Sequence, residues 1–401
     1  MLTNKALISG CLCVTAVCLF SSPLLADEDV AESMLPVPLG GVEHEHTHGP
    51  RLSFQPRATL RAVYGDTDLE DSGLAHGGHD PIHDGFSIPD LSLGADILYG
   101  EHVSAFAESI LTWNSYDGWD GEIEEAYVKF MNLPGGFELH AGVLLVAAGT
   151  QNNIHTHSWN FVDAHLGNVR FLGEDGLAIE GLELIWLPPS RWDDQLILSF
   201  GNALEHQHKE EEEHPADGIM HGHDEEAEEA LWDHNVFVAR YETTHWPRDT
   251  SQFVYGVSYI QGKNFMQKTA RLYGLDFTYR YFEDENHSQQ FIWRNEAMLR
   301  RVHTEEGKFE ELALSSVAIY KLNPEWEFGL RYDYLEGVKD PKLSERHRIS
   351  PSIARHFKLA DQSHASLRLQ YNYDHSDERG EDHSIWLQFS IEWGDADAHV
   401  H

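Results

Sequence analysis

Cysteine is scarce, and its placement is informative. All three cysteines of the 401-residue chain, Cys11, Cys13 and Cys18, lie before Phe20. The chain beyond them can form no disulfide and offers no thiolate nucleophile or thiolate metal ligand. A long apolar run is also lacking. After the N-terminal stretch no segment approaches the roughly 20 apolar residues of a membrane-spanning helix. Positive charge is sparse: 28 Lys and Arg face 67 Asp and Glu, a formal net charge of −39. Such a surface repels nucleic acid and attracts cations, so no nucleic-acid partner is expected. No serine-centred elbow occurs, and an enzyme is not expected.

What is present begins with an export signal. Lys5 supplies a positive start, Ala6 to Phe20 is apolar, and Ser21 to Ala26 ends on a small residue before Asp27-Glu28-Asp29. Residues 1–26 therefore read as a secretory signal peptide. Residues 27–50 read as a histidine-rich periplasmic segment and residues 394–401 as a histidine-containing tail.

Between these ends the chain alternates with period two. Ile385, Leu387, Phe389, Ile391 and Trp393 oppose Ser384, Gln388, Ser390 and Glu392, with Trp386 breaking the pattern. Leu367, Leu369, Tyr371 and Tyr373 oppose Ser366, Arg368, Gln370 and Asn372 in the same way. Many such runs reach 10 or more residues, roughly the length that crosses a bilayer at a tilt. Aromatic residues sit near their ends (Trp113, Trp186, Trp246, Trp326, Trp393), as membrane interfaces favour. The polar faces carry ionised residues that a dry sandwich core would not tolerate.

Sixteen segments are predicted within 51–393: 51–64, 86–99, 102–115, 121–132, 136–149, 176–187, 194–204, 232–245, 251–262, 269–282, 288–303, 308–322, 325–336, 345–358, 363–376 and 382–393. Connections after even segments are mostly short; the long ones, 65–85, 150–175 and 205–231, all follow odd segments. This pattern predicts an all-β fold: a transmembrane antiparallel up-and-down barrel of about 16 strands, porin-like, with periplasmic termini and long external loops. Its place is the outer membrane of a Gram-negative bacterium, in contact with outer-membrane lipid.

The 27 histidines cluster in the loops. The first external loop has His76, His79 and His83, with Asp80 and Asp84. The third has His155, His157, Asp163 and His165. The fourth has His206, His208, His214, His221 and His223 among many acids. His44, His46 and His48 precede the first strand, and His399 and His401 close the chain. Neutral imidazole with carboxylates suits zinc and other divalent transition metals, carried or loosely bound. The fourth loop reads as a flexible, multi-site collector. The third, rich in Trp159, Phe161, Val162, Phe171 and Leu172, is expected to fold into the lumen and place its four polar residues at a constriction. Glu108, Glu125, Lys129, Asp276, Arg280, Arg294, Arg331, Asp333 and Arg368 are expected on the lumen wall, mostly as ion pairs.

His155-Thr-His157-Ser-Trp-Asn-Phe-Val-Asp163, Arg170-Phe-Leu-Gly-Glu-Asp-Gly176 and Glu183-Leu-Ile-Trp-Leu-Pro188 resemble a family of histidine-rich outer-membrane proteins. These are often labelled zinc-regulated TonB-dependent outer membrane receptors, and they are also similar to porins of the phosphate-selective type. The resemblance is best over residues 85–190. It implies zinc acquisition under scarcity, with His155, His157 and Asp163 as matching positions. By the same resemblance a TonB-dependent receptor carries a plug domain of over about a hundred residues and a barrel of about 22 strands. Residues 27–50 are too few for that plug, so the expectation is a passive, metal-favouring channel. A periplasmic metal-binding protein is the expected recipient, and resemblance to 16-stranded porins adds a homotrimer as an option. Two alternatives stay open: a general diffusion porin, and a surface metal-buffering barrel.

Overall fold

The computed structural model describes residues 52–67, 76–116, 118–204, 232–283, 289–303, 307–339, 342–360, 363–377 and 380–394. The signal peptide, the 27–50 segment, the fourth-loop tract 205–231 and all but the first residue of the 394–401 tail lie outside them.

The described strands, in chain order, are β1 (Leu52–Asp66), β2 (Gly85–Tyr99), β3 (Val103–Asn114), β4 (Gly118–Leu133), β5 (Phe137–Leu145), β6 (Ala178–Trp186), β7 (Asp193–Ala203), β8 (Val236–Arg248), β9 (Ser251–Lys263), β10 (Thr269–Phe282), β11 (Gln289–His303), β12 (Lys308–Asn323) and β13 (Trp326–Leu335). Then come two short pieces, β14 (Val338–Lys339) and β15 (Lys342–Leu343), followed by β16 (Arg346–Ala360), β17 (Ser363–Ser376) and β18 (Gly380–Gly394). Each long strand pairs antiparallel with its neighbours, and β1 pairs with β18 to close a barrel of sixteen strands. β14 and β15 form a separate two-residue ladder between β13 and β16. Closure leaves no strand edge unpaired, which an apolar bilayer requires.

Period-two alternation sets the register. Leu275, Leu330, Leu367, Leu369, Ile385, Leu387 and Phe389 are exposed on the outer face, while Arg368, Gln370, Asn372, Ser384, Gln388 and Ser390 are buried in the lumen. A predominantly apolar outside and a largely polar inside is the inverse of a water-soluble barrel and suits a lipid surround. Every predicted segment corresponds to a strand. The largest departures are at β5, which ends at Leu145 rather than 149, and β8, which begins at Val236 rather than 232.

β5 and β6 have 9 residues each, against 12 to 16 in β1–β4. The wall is therefore low there, and the connection between these strands leaves it deep inside the barrel. Gly142, Gly181 and Gly201 lie side by side across β5, β6 and β7. Cβ atoms at these positions would come within 2.2, 2.2 and 2.4 Å of backbone oxygens. Only glycine allows this close approach beneath the inserted loop.

The lumen wall is also partly apolar, beyond the ion-paired wall residues expected from sequence. Helix α1 (Leu166–Leu172) of the inserted connection buries Leu166, Phe171 and Leu172 against Val236, Val238, Ile260, Leu272, Met298, Val302, Phe309 and Ala313. These wall residues occupy the external ends of β8–β12. Burying three such side chains contributes about 5–9 kcal/mol, an upper figure, toward ordering the loop. Trp386 explains its own exception: it turns inward and packs with Val63 and the loop's Val162.

Candidate functional site

Residues 146–177 fill the centre of the barrel, as the sequence predicts. Asn152 ties the two stems of this loop together. Its Nδ2 donates to the Val146 and Leu177 carbonyls at 2.8 and 3.0 Å, and its Oδ1 accepts from Leu177 N at 2.8 Å. Thr150 donates through its backbone N and its hydroxyl to Glu296 of β11. Arg170 pairs with Glu311 of β12 at 2.8 Å, and Arg61 of β1 donates to the Thr156 carbonyl at 3.1 Å.

The four polar residues expected together at the constriction are separated, which corrects that expectation. Asp163 faces the cationic wall. It accepts from Arg331, Arg348, Gln370 and Asn372 at 2.7, 2.8, 2.6 and 2.7 Å. Burial alone would raise its pKa, but the Arg331 and Arg348 guanidiniums outweigh burial and hold the carboxyl well below the usual range. With four donors its oxygens are saturated, so Asp163 is a loop anchor. His165 stands apart, 3.3 Å from the Ser315 hydroxyl. Burial, then Arg331 and Arg294, push its pKa well down and keep the ring neutral.

His155 and His157 face the acidic wall. Their rings stack with centroids 5.7 Å apart. His155 Nδ1 lies 2.9 Å from Glu124 Oε2 and 3.7 Å from Glu108 Oε2, and its Nε2 lies 3.0 Å from Glu125 Oε2. His157 Nδ1 is 3.6 Å from Glu108 Oε1. Between the two, Thr156 donates its hydroxyl to Asp90 of β2, while Arg57 of β1 holds Glu108 from the far side. Burial opposes charge on His155, but Glu124 and then Glu125 overcome it and raise its pKa to about 10. The opposite happens at His157, where burial and the charge on His155 push the pKa down to about 4.

The acid cluster has a backbone cause. Between β3 and β4 the pairing slips: Glu108 opposes Glu125 but Ser109 opposes Ile123. Glu124 is the extra residue of a β-bulge, so Glu124 and Glu125 both turn inward while Ile123 stays exposed outside. Glu108, Glu124 and His155 offer ligand atoms within 4.8 Å of one another, all buried. One imidazole and two carboxylates form a donor set that suits a divalent transition metal.

The first-loop histidines are also dispersed. His76 Nδ1 is 3.2 Å from the Gly77 carbonyl, and His83 stacks on Tyr116 with centroids 4.3 Å apart. His79 leaves them and lies 3.3 Å from Glu122 and 3.4 Å from Asp175. His44, His46, His48, His206, His208, His214, His221 and His223 lie outside the described residues. Sequence reasoning missed Glu122, Glu124 and Asp175, and it read Glu108 only as wall. The one visible signal was the break in alternation at Glu122-Ile-Glu-Glu125. Several other lumenal charges pair as expected: Arg331 with Asp333 at 3.0 Å, Arg368 with Glu327 at 3.3 Å, and Asp276 with Arg240 at 2.6 Å. Arg280 and Arg294 instead donate to the amide oxygens of Gln252 at 2.6 Å and Asn160 at 3.1 Å.

No family model matches the chain. An uncharacterized protein of Aquifex aeolicus (strain VF5) is 26% identical over 234 residues, covering 53% of this chain. The match spans about half of that relative's own length, 48%. Solved structures share the fold. The anion-selective porin from Comamonas acidovorans superposes with a TM-score of 0.55 at 10% identity, over 86% of this chain and 100% of its own. The outer membrane channel DcaP of Acinetobacter baumannii gives 0.55 at 12% identity, over 89% and 100%. The trimer form of OmpT, an outer membrane protein of Vibrio cholerae, gives 0.53 at 9% identity, over 86% and 100%. The chain thus has the closed sixteen-strand fold of outer-membrane porins, and its apolar exterior agrees with an outer-membrane location.

Proposed function

We propose that the protein is a passive outer-membrane channel whose inserted loop favours divalent transition-metal cations, zinc foremost, on their way to the periplasm. The observation that carries this reading is the buried Glu108–Glu124–His155 cluster, where the loop meets the bulged acidic wall. The charge of the whole chain, −39, supplies cations to the mouth. At the loop, carboxylates replace hydration water and the His155 imidazole adds preference for borderline metals over magnesium. Conduction needs binding firm enough to admit the ion and loose enough to release it. A three-donor cluster meets that need better than a closed four-ligand cage. His44, His46 and His48 would receive ions at the periplasmic face and pass them to a periplasmic metal-binding protein. Homotrimer assembly belongs to the same proposal and is read from the mass of the native particle in detergent.

A second reading, a diffusion porin without metal preference, is favoured by one observation. His155 is already satisfied by three carboxylates without a metal. Reversal potentials across planar bilayers with zinc on one side and magnesium on the other separate the two. The proposal expects zinc preference in the native chain and its loss in Glu124→Gln and His155→Gln. Equal selectivity for both ions in the native chain supports the second reading.

A further inference from the structure

Three segments distant in sequence meet at His79. It belongs to the first external loop, Glu122 to the external end of β4, and Asp175 to the returning stem of the inserted loop. The two loops are built to touch there. Gly78 N donates to the Glu174 carbonyl at 3.2 Å, and Asp175 packs so tightly on Gly78 that a Cβ would fall 2.0 Å from its Oδ1. Asp80 pins the same junction, accepting from Gly77 N at 2.7 Å and from Ala164 N at 2.8 Å.

His79 is 5% exposed, and neither ring nitrogen has a properly aligned hydrogen bond. Its Nε2 instead points between two carboxylate oxygens, Glu122 Oε1 at 3.3 Å and Asp175 Oδ1 at 3.4 Å. Ligands bound tetrahedrally to zinc at about 2.0–2.1 Å stand about 3.3–3.4 Å apart. The separations from Nε2 to each oxygen are therefore those of a tetrahedron's edges, before any movement. Asp175 is 4% exposed and Glu122 is 25% exposed, so the group is closed on the loop side and open toward the mouth. Three protein ligands leave the fourth place of a tetrahedral zinc for water.

We propose that His79, Glu122 and Asp175 form a second divalent-cation site of the zinc class, separate from the lumenal cluster, which clasps the first external loop to the inserted loop. Its role is to hold the two loops together rather than to pass ions. A cation bound only when the loops are joined stabilises the joined form by its binding free energy. At zinc about ten times its Kd, opening of the junction is suppressed about tenfold.

Crystals of the full chain grown with equimolar zinc, measured at the zinc absorption edge, test the placement. An anomalous peak between His79, Glu122 and Asp175 supports the site. No peak there, or one only with zinc in large excess, overturns it. The lumenal cluster is read in the same map, so the failure of either site is seen independently of the other. Hydrogen exchange tests the clasp. Zinc is expected to slow exchange at Gly77, Gly78 and Ala164 about tenfold in the native chain and by less than about twofold in Glu122→Gln. That isosteric change at the open rim spares the fold where His79→Gln risks it. Equal slowing in both proteins overturns the clasp.

Discussion

Asp163 accepts four hydrogen bonds and pairs with two arginines from strands opposite the acidic wall. Removing it would leave Arg331 and Arg348 buried with less compensating charge. Loss of one partner of a buried ion pair costs about 3–5 kcal/mol. Asp163→Ala is therefore expected to lower the stability of the detergent-solubilised barrel by about that amount, measured by denaturant unfolding. The pH dependence has a definite sign. The folded-state pKa of Asp163 is depressed, so its contribution is complete above the unfolded carboxyl pKa of about 3.9 and is lost as pH falls below it. Between about pH 5 and pH 2 the native chain should lose more stability than Asp163→Ala does. His155 and Asp163 looked alike in the sequence, as polar residues of one loop. What distinguishes them is which wall each faces, and no local pattern encodes that.

Strands were legible because lipid on one face and water on the other impose strict alternation. The stretch that ends in Ile385 to Trp393 shows it residue by residue. The departures carried the site. Trp386 broke polarity because it holds the loop at Val162, and Glu124 broke register because it is the bulge. The apolar seat of α1 was not legible, since inward-facing Leu272 and Met298 read from sequence as ordinary strand residues. The pairing of His79 with Glu122 and Asp175 was hidden for a different reason: its three members are joined only by the folded loops. The glycine row of β5–β7 is an element-scale feature with its own consequence. At Gly181 a Cβ would lie 2.2 Å from the Phe200 carbonyl and 2.7 Å from Gly201 Cα. Gly181→Ala must push β6 and β7 apart, at a cost of about 1–3 kcal/mol by analogy with overpacked cores. Thermal unfolding should register it, and an unchanged transition would show that the wall relaxes freely there.

The molecule combines a shell with an insert, and the two can be separated experimentally. All sixteen wall strands close on themselves through main-chain pairing that does not require residues 150–176. Replacing those residues with a short turn should leave a folded barrel with several-fold larger single-channel conductance, and the proposed zinc preference should go with the loop. A barrel whose conductance is unchanged would place the narrowest point elsewhere. The insert has a mechanical consequence as well. A sheet rolled into a tube resists stretching along its hydrogen bonds but yields readily to squeezing across its diameter. Here Glu124 and Glu125 of β4 on one side and Arg331, Arg348 and Arg300 on the other all hold the same loop, which makes it a strut spanning the tube. Lateral pressure in the membrane would then act on a stiffened cross-section, and the bonds that set the calibre of the pathway would also keep the shell from flattening into an oval.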